Sequence, residues 1–298
     1  MPLSDDITIY PGHGAGSSCG KNMSSETVGT LGEQKQTNYA LRTDMTKDEF
    51  IKELTSDILP PPQYFPKNAM MNKMGYNSFE EVLLQGNSAL NMDEFNAAVN
   101  DGALILDVRT QADFIKGFIP NSLFIGLNGT FAMWVGALIE DINQKIVLIV
   151  PKGQEEEAVT RLSRVGYDNA VGYLKGGIET YKANGGQLST ITSISADEFA
   201  ETASTCNILD VRKPGEFASE HIVDAPNYPL DFLNDHLAEL DKSKTYHVHC
   251  AGGYRSVIAI SLMMQNGFNS LVDIAGGYGA IKNTSIEKTN YVCPSTLK

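Results

Sequence analysis

At 298 residues the chain has room for two or three domains of ordinary size. Its hydrophobic content of 42% suits full-sized cores, and no apolar run nears the ~20 residues that span a bilayer. A net charge of −13 argues against a broad nucleic-acid surface, because phosphate binding needs clustered Lys and Arg; the acidity serves solubility.

The opening MPLSDDITIY has neither a basic n-region nor an apolar h-region, so no secretory signal is expected and the cytoplasm is the expected location. TIYPGHGAGSSCGK then reads as a strand entering a glycine-rich turn. GEQKQTNYALR and TKDEFIKELTSDI read as helices, and the prolines at 60–62 as a rigid turn between helices. FPKNAMMNKMGY reads as a further helix, leading through SFEEVLLQGN into the next domain. The apolar residues Phe50, Ile51, Leu54, Ile58 and Phe65 are expected to pack on that domain.

From residue 88 onward the sequence repeats with a period near ~100. NMDEF, LILDVRTQADF, KIVLIV and the Gly-Gly of YLKGG recur as SADEF, NILDVRKPGEF, TYHVHC and the Gly-Gly of DIAGG. Ser88 and Ser195 are the expected helix caps before each Asp-Glu-Phe. Strands are expected over 103–108 and 146–150 in the first copy, and over 207–211 and 246–249 in the second. Apolar strands alternating with helices predict an α/β fold with parallel sheets covered on both faces. Ligands bind such sheets beyond the carboxyl ends of the strands, and Cys250 stands at one of those ends.

The four cysteines (Cys19, Cys206, Cys250, Cys293) form no Cys-x-x-Cys pair and suit a reducing compartment. Only Cys250 lies on a loop built for a thiolate, CAGGYRS. Gly252 and Gly253 let backbone N–H groups turn inward, a helix starting near Ser256 contributes its positive end, and Arg255 supplies a cation. Cys206 and Cys293 read as small buried hydrophobes, and Cys19, despite its glycine-rich turn and Lys21, as structural. His247 and His249 share one face of the strand before Cys250 and read first as core histidines.

Residues 88–298 resemble two rhodanese domains in tandem, on the Asp-Val-Arg strand ends, the following Asp/Glu-Phe helices, the closing Gly-Gly pairs and the loop from Cys250 to Ser256. The resemblance implies sulfur transfer from a small-molecule donor to a thiol or cyanide acceptor through a persulfide on Cys250. It implies that Ala251, Gly252, Gly253, Tyr254, Arg255 and Ser256 bind the donor and the persulfide, and that Asp210 and Arg212 hold the site together from behind; beside them His249 is read from its place on the strand as able to orient the loop through a backbone hydrogen bond. No metal, cofactor, nucleic acid or membrane partner is implied, and the oligomeric state is not legible. Rhodanese-like phosphatases carry five residues between cysteine and arginine; four stand here, which suits one sulfur atom better than a phosphoryl group. The competing class is a non-enzymatic interaction or redox-sensing module.

The first copy reads PKGQEEE where the second has its cysteine loop. Without a thiol or an arginine, and with Glu155, Glu156 and Glu157 at the helix start to repel anions, it is expected to be inactive and to shape or cover its neighbour. Trp134 is expected in its core. Residues 1–87, through TIYPGHGAGSSCGKN and GEQKQTNYALR, resemble the closing portion of metallo-β-lactamase-fold hydrolases of the persulfide dioxygenase type, in which the histidine matching His13 lies beside the metal. The His-x-His-x-Asp-His motif of that family is absent, and one imidazole cannot hold a catalytic metal. The segment is expected to be a remnant with no metal site. The expected domains are therefore 1–87, 88–187 (inactive) and 188–298 (active).

Overall fold

The computed structural model describes residues 3–10, 28–41, 44–55 and 64–293. His13, Cys19, Ile58, the glycine-rich turn and the prolines at 60–62 lie outside these residues. The chain forms two compact units, Met1–Pro61 and Pro62–Lys298.

In the first unit, β1 (Thr8–Ile9) pairs antiparallel with β2 (Gly29–Thr30). Helix α1 (Leu31–Thr37) starts from a capping box: the Thr30 hydroxyl accepts from the Glu33 amide, while the Glu33 carboxylate accepts from the Thr30 amide. Helix α2 spans Lys47–Thr55. Phe50 and Ile51 of α2 are exposed, contrary to the expected cover, because the helix has no buried face.

The second unit begins with α3 (Phe65–Met74) and α4 (Phe79–Gly86). Phe65 is also exposed; Tyr64 and Val82 are the residues that join the core of the first repeat. Lys67 donates to the Glu140 carbonyl there. These two helices, grouped with the N-terminal segment in the sequence reading, pack on the first repeat.

The first repeat contains β3 (Ala89–Leu90), α5 (Met92–Asn100), β4 (Leu104–Asp107), α6 (Gln111–Lys116), β5 (Leu123–Phe124), α7 (Phe131–Leu138), β6 (Ile146–Ile149), α8 (Glu155–Ser163), β7 (Ala170–Leu174) and α9 (Gly177–Ala183). Its strands form a parallel sheet in the order β3-β7-β6-β4-β5. The second repeat contains β8 (Thr192–Ile194), α10 (Ala196–Thr202), β9 (Asn207–Asp210), α11 (Pro214–Ser219), α12 (Leu233–His236), β10 (Tyr246–His249), α13 (Tyr254–Gln265), β11 (Leu271–Ile274) and α14 (Gly277–Ile281). Its parallel sheet runs β8-β11-β10-β9, the same order with the outer strand reduced to one bridge, Asp210 to Asn227. The helix caps are Asn91 and Ser195, each in a capping box. Ser88 is not a cap: it precedes β3, and its hydroxyl donates to the Leu84 carbonyl.

One hydrophobic cluster runs through both repeats, from Val82, Leu106, Phe124 and Trp134 to Leu209, Val248, Cys250, Ile258 and Phe268. Helix α13 is apolar nearly all round because it lies between its own sheet and the edge strand β5 of the first repeat. Polar contacts fix the same seam: the Phe124 amide donates to Ser261 Oγ at 3.0 Å and Gln265 Nε2 to the Asn121 carbonyl at 2.7 Å. The outer faces carry two smaller cores, around Phe95 and Val147 and around Phe199 and Ile274.

Candidate active site

β10 is a short strand that ends at His249, directly before Cys250, and α13 begins at Tyr254, four residues after the cysteine. The turn between them requires Gly253, whose φ of +100° is a conformation that side-chain-bearing residues avoid. In that conformation the Gly253 amide points back and donates to Cys250 Sγ at 3.1 Å. The Ser256 hydroxyl lies 3.8 Å from the same sulfur. The residue is 1% exposed, so the sulfur sits beneath the loop at the positive end of α13.

The loop is held from behind by the turn after β11. Tyr278 N–H donates to the Cys250 carbonyl at 2.7 Å, and Gly279 N–H to the Ala251 carbonyl at 2.9 Å. The recurring Gly-Gly of the sequence thereby acquires a local reason: a Cβ on Gly277 would collide with the Cys250 carbonyl. The corresponding Gly177 of the first repeat has open space instead.

Asp210 and Arg212 form a closed clamp at the end of β9. Arg212 Nε and Nη2 donate to the Asp210 carboxylate at 2.9 and 2.6 Å, and Nη2 also reaches the Glu220 carbonyl at 2.9 Å. The guanidinium lies 3.8 Å over the Tyr278 ring, which links the clamp to the cysteine loop. Asp107 and Arg109 make the same clamp in the first repeat, onto the Gly117 carbonyl, so this pair ties helix to strand whether or not a cysteine is present. Buried His249 has Nδ1 3.5 Å from the Cys250 carbonyl and Nε2 3.8 Å from Asp210. Burial holds its imidazole below the ordinary histidine range, against the pull of Asp210. His247 stacks on Phe199.

Two side chains of the loop are already engaged. Arg255 makes a two-toothed ion pair with Glu216 of α11, at 2.6 and 2.7 Å. Burial alone would raise the Glu216 carboxyl, but the Arg255 and Lys213 hydrogen bonds and the charges of Arg255 and Arg212 hold it below the usual carboxylate range. Tyr254 turns to the first repeat, where its hydroxyl donates to the Gly126 carbonyl at 2.8 Å and its ring fills the space beside Gly129. Glu216 was not singled out from sequence, although it stands in the PGEF that marks the repeat. Asp273 was also missed; its signal was a lone carboxylate inside the apolar run LVDI.

The loop of the first repeat, 151–154, leads into α8 with Glu155, Glu156 and Glu157 in its first turn. Trp134 is buried there. Cys206 and Cys293 are not the buried hydrophobes expected. Cys293 is exposed beyond the last helix. Cys206, at the entrance to β9, is half-buried, with its thiol donating to the Thr202 carbonyl at 3.3 Å and lying 3.6 Å from His247 Nε2. A cavity of about 680 Å³ borders β9 near Cys206 and takes in none of the Cys250 loop. Among the described residues, no three His, Cys, Asp or Glu side chains gather as a metal site, and no helix is long and apolar enough to cross a membrane.

The rhodanese-like domain family matches residues 91–184 and 195–284, together more than half of the chain, and the chain belongs to that family. Thiosulfate sulfurtransferase 16, chloroplastic, from Arabidopsis thaliana is 34% identical over 84 residues, 24% of this chain and 70% of that protein. A protein named Sulfurtransferase from Allochromatium vinosum is 30% identical over 70 residues, 24% of this chain and 65% of that protein. The crystal structure of a metallo-beta-lactamase from Staphylococcus aureus subsp. aureus COL aligns at 31% identity over 58% of this chain and 46% of its own, with a TM-score of 0.43.

Proposed function

We propose that the protein is a single-site sulfurtransferase in which Cys250 carries the transferred sulfur. The observation that supports this best is the Gly253 amide donating to the Cys250 sulfur at the start of α13, since a hydrogen bond at a helix N-terminus favours a sulfur anion. In the first half-reaction the Cys250 thiolate attacks the outer sulfur of the donor. The donor S–S bond breaks, its electron pair leaves with sulfite or a thiolate, and a new S–S bond forms on Cys250. In the second, an acceptor thiolate or cyanide attacks that terminal sulfur and leaves as a persulfide or thiocyanate, returning the Cys250 thiolate. The names of the Arabidopsis and Allochromatium relatives point the same way.

Thiosulfate and low-molecular-weight persulfides are the donor classes, and the geometry favours the persulfide. Arg255 is neutralised by Glu216 and offers a dianionic sulfonate little attraction, whereas a small persulfide needs no such grip. The first repeat serves as a wall that fixes α13. Residues 1–87 are read as a remnant of the closing portion of a metallo-β-lactamase-fold hydrolase, on the likeness of TIYPGHGAGSSCGKN and GEQKQTNYALR, and a reducing compartment such as the cytoplasm suits the scattered thiols.

Incubation with glutathione persulfide or thiosulfate, followed by intact mass, is expected to add one sulfur to the wild type and none to Cys250→Ser. No gain from either donor sinks the enzyme reading and favours an interaction or redox-sensing role.

A further inference from the structure

Asp273 is the one carboxylate on the face of β11 that packs under α13. It is fully buried, and its face of the sheet carries Tyr246, Val248, Cys250 and Leu271 of the central cluster. His247 and His249 lie on the opposite face of β10, with Phe199 and Tyr278. From α13, Ser256 Oγ approaches Asp273 Oδ1 at 2.7 Å, and from β8, Ser193 Oγ donates to Oδ2 at 2.9 Å. The charged and phenolic groups at the start of α13 are committed elsewhere, Arg255 to Glu216 and Tyr254 to the Gly126 carbonyl. Among the described residues no basic side chain pairs with Asp273.

The Ser256 hydroxyl faces two acceptors, Asp273 Oδ1 at 2.7 Å and the Gly253 carbonyl at 2.8 Å, and its oxygen lies 3.8 Å from Cys250 Sγ, which donates to it as a thiol and becomes a third acceptor as a thiolate. A hydroxyl has one proton to give. When Asp273 is ionised, the carboxylate takes that proton as an acceptor. When Asp273 is neutral, it donates its own O–H to Ser256 Oγ, and the Ser256 proton is free to turn to a Cys250 thiolate. We propose that Asp273, acting through Ser256, is a positioning residue that sets whether the Cys250 sulfur receives a second hydrogen bond beside the one from Gly253. Burial raises the Asp273 carboxyl, and the two serine hydroxyls pull it only partly back, which keeps the neutral, permissive form within reach. No bond between heavy atoms changes in this switch: one proton is exchanged between the Asp273 carboxyl and solvent, and one hydroxyl rotates.

The proposal rests on the reading of Cys250 as the sulfur nucleophile, yet its test needs no sulfur donor. Alkylation of Cys250 by iodoacetamide, followed peptide by peptide to separate the four cysteines, is measured across pH in the full chain. In the wild type, reactivity is expected to follow two ionisations, that of the thiol and that of Asp273, with the second lowering the gain as pH rises. Asp273→Asn, whose amide can donate to Ser256 at every pH, is expected to show one ionisation only. Ser256→Ala is expected to lose the second ionisation as well and to react roughly tenfold more slowly, the factor that one hydrogen bond to a charged group is worth. Profiles of Asp273→Asn and Ser256→Ala that superimpose on the wild type overturn the proposal. Should Asp273→Asn fail to fold, Ser193→Ala removes one donor to the carboxylate and is expected to move the second ionisation upward; an unmoved profile overturns the proposal. A protein that accepts no sulfur but keeps the Asp273-dependent profile retains this inference and loses the functional one.

Discussion

The Cys250 carbonyl occupies the place that a side chain on Gly277 would need, and Gly277 itself holds a φ of +55°. Gly177 has the same φ in the first repeat but faces open space. The pair separates backbone strain from collision with the cysteine loop. Gly177→Ala is expected to cost ~1 kcal/mol, the penalty for a left-handed alanine. Gly277→Ala is expected to cost ~1–3 kcal/mol more, because backbone atoms must move as well. Urea unfolding measures both, and only Gly277→Ala is expected to change the alkylation rate of Cys250. Equal costs for the two variants would show that the loop does not rest on Gly277.

The Arg255–Glu216 pair predicts a donor preference that can be shifted. Glu216→Gln removes the charge opposing Arg255 while leaving a hydrogen-bonding group of the same size. Thiosulfate is expected to gain, by a KM lowered about tenfold, which corresponds to ~1.4 kcal/mol, with little change for an uncharged persulfide. The pair is partly exposed, so its loss is expected to cost under ~1 kcal/mol of stability. The pH sign is fixed by the depressed Glu216 carboxyl. Its contribution is complete above the unfolded value of about 4.3 and disappears as pH falls through the lower folded value. Urea midpoints between pH 3 and 6 are therefore expected to fall more steeply in the wild type than in Glu216→Gln.

Much of this site was legible because buried parallel strands leave short, distinct runs in the sequence. NILDV and YHVH are such runs, and the second, followed by the glycines of CAGG, places Cys250 at a strand end before a helix. The Asp210–Arg212 clamp spans two residues and shows itself as a local pattern, repeated as Asp107–Arg109. Partners distant in sequence were not legible. Arg255 meets Glu216 across 39 positions and Tyr254 meets Gly126 across 128, distances set by how α13 packs on α11 and on the first repeat. Arg255 and Tyr254 were expected to face the donor because their motif names them, whereas packing gives both side chains other partners. Cap choice failed on a smaller scale: Ser88 is a good capping residue placed before a two-residue strand, and Asn91, directly before the helix, takes the role.

His249 sets a second pH dependence. Burial lowers its imidazole, with Asp210 opposing and Arg212 assisting, and His247 is lowered by burial too. The unfolded chain therefore binds protons that the folded chain refuses. Stability is expected to be complete above the unfolded histidine value of about 6.5 and to decline as pH falls below it, toward the depressed folded values. His249→Gln, which cannot take up that proton, is expected to flatten the curve between pH 7 and 5. Thermal unfolding at half-unit pH steps checks this; a wild-type curve as flat as that of the variant would mean that His249 carries its proton in the fold.

Tyr254 tests whether the cysteine-free repeat supports the active loop. Its hydroxyl bonds to the Gly126 carbonyl, and its ring meets Phe124 edge-on at 5.9 Å. Tyr254→Phe keeps the ring and removes one hydrogen bond, at an expected ~1 kcal/mol of stability. Tyr254→Ala also empties the space between the repeats and is expected to cost ~3 kcal/mol or more, by analogy with other buried aromatic truncations. Because Tyr254 directly follows Gly253, slack at this anchor reaches the amide that donates to the sulfur. Cys250 alkylation is therefore expected to slow in the order wild type, Tyr254→Phe, Tyr254→Ala, while alkylation of exposed Cys293 stays constant as the internal control. Unchanged Cys250 rates in both variants would make the first repeat a mere neighbour, with no part in shaping the loop.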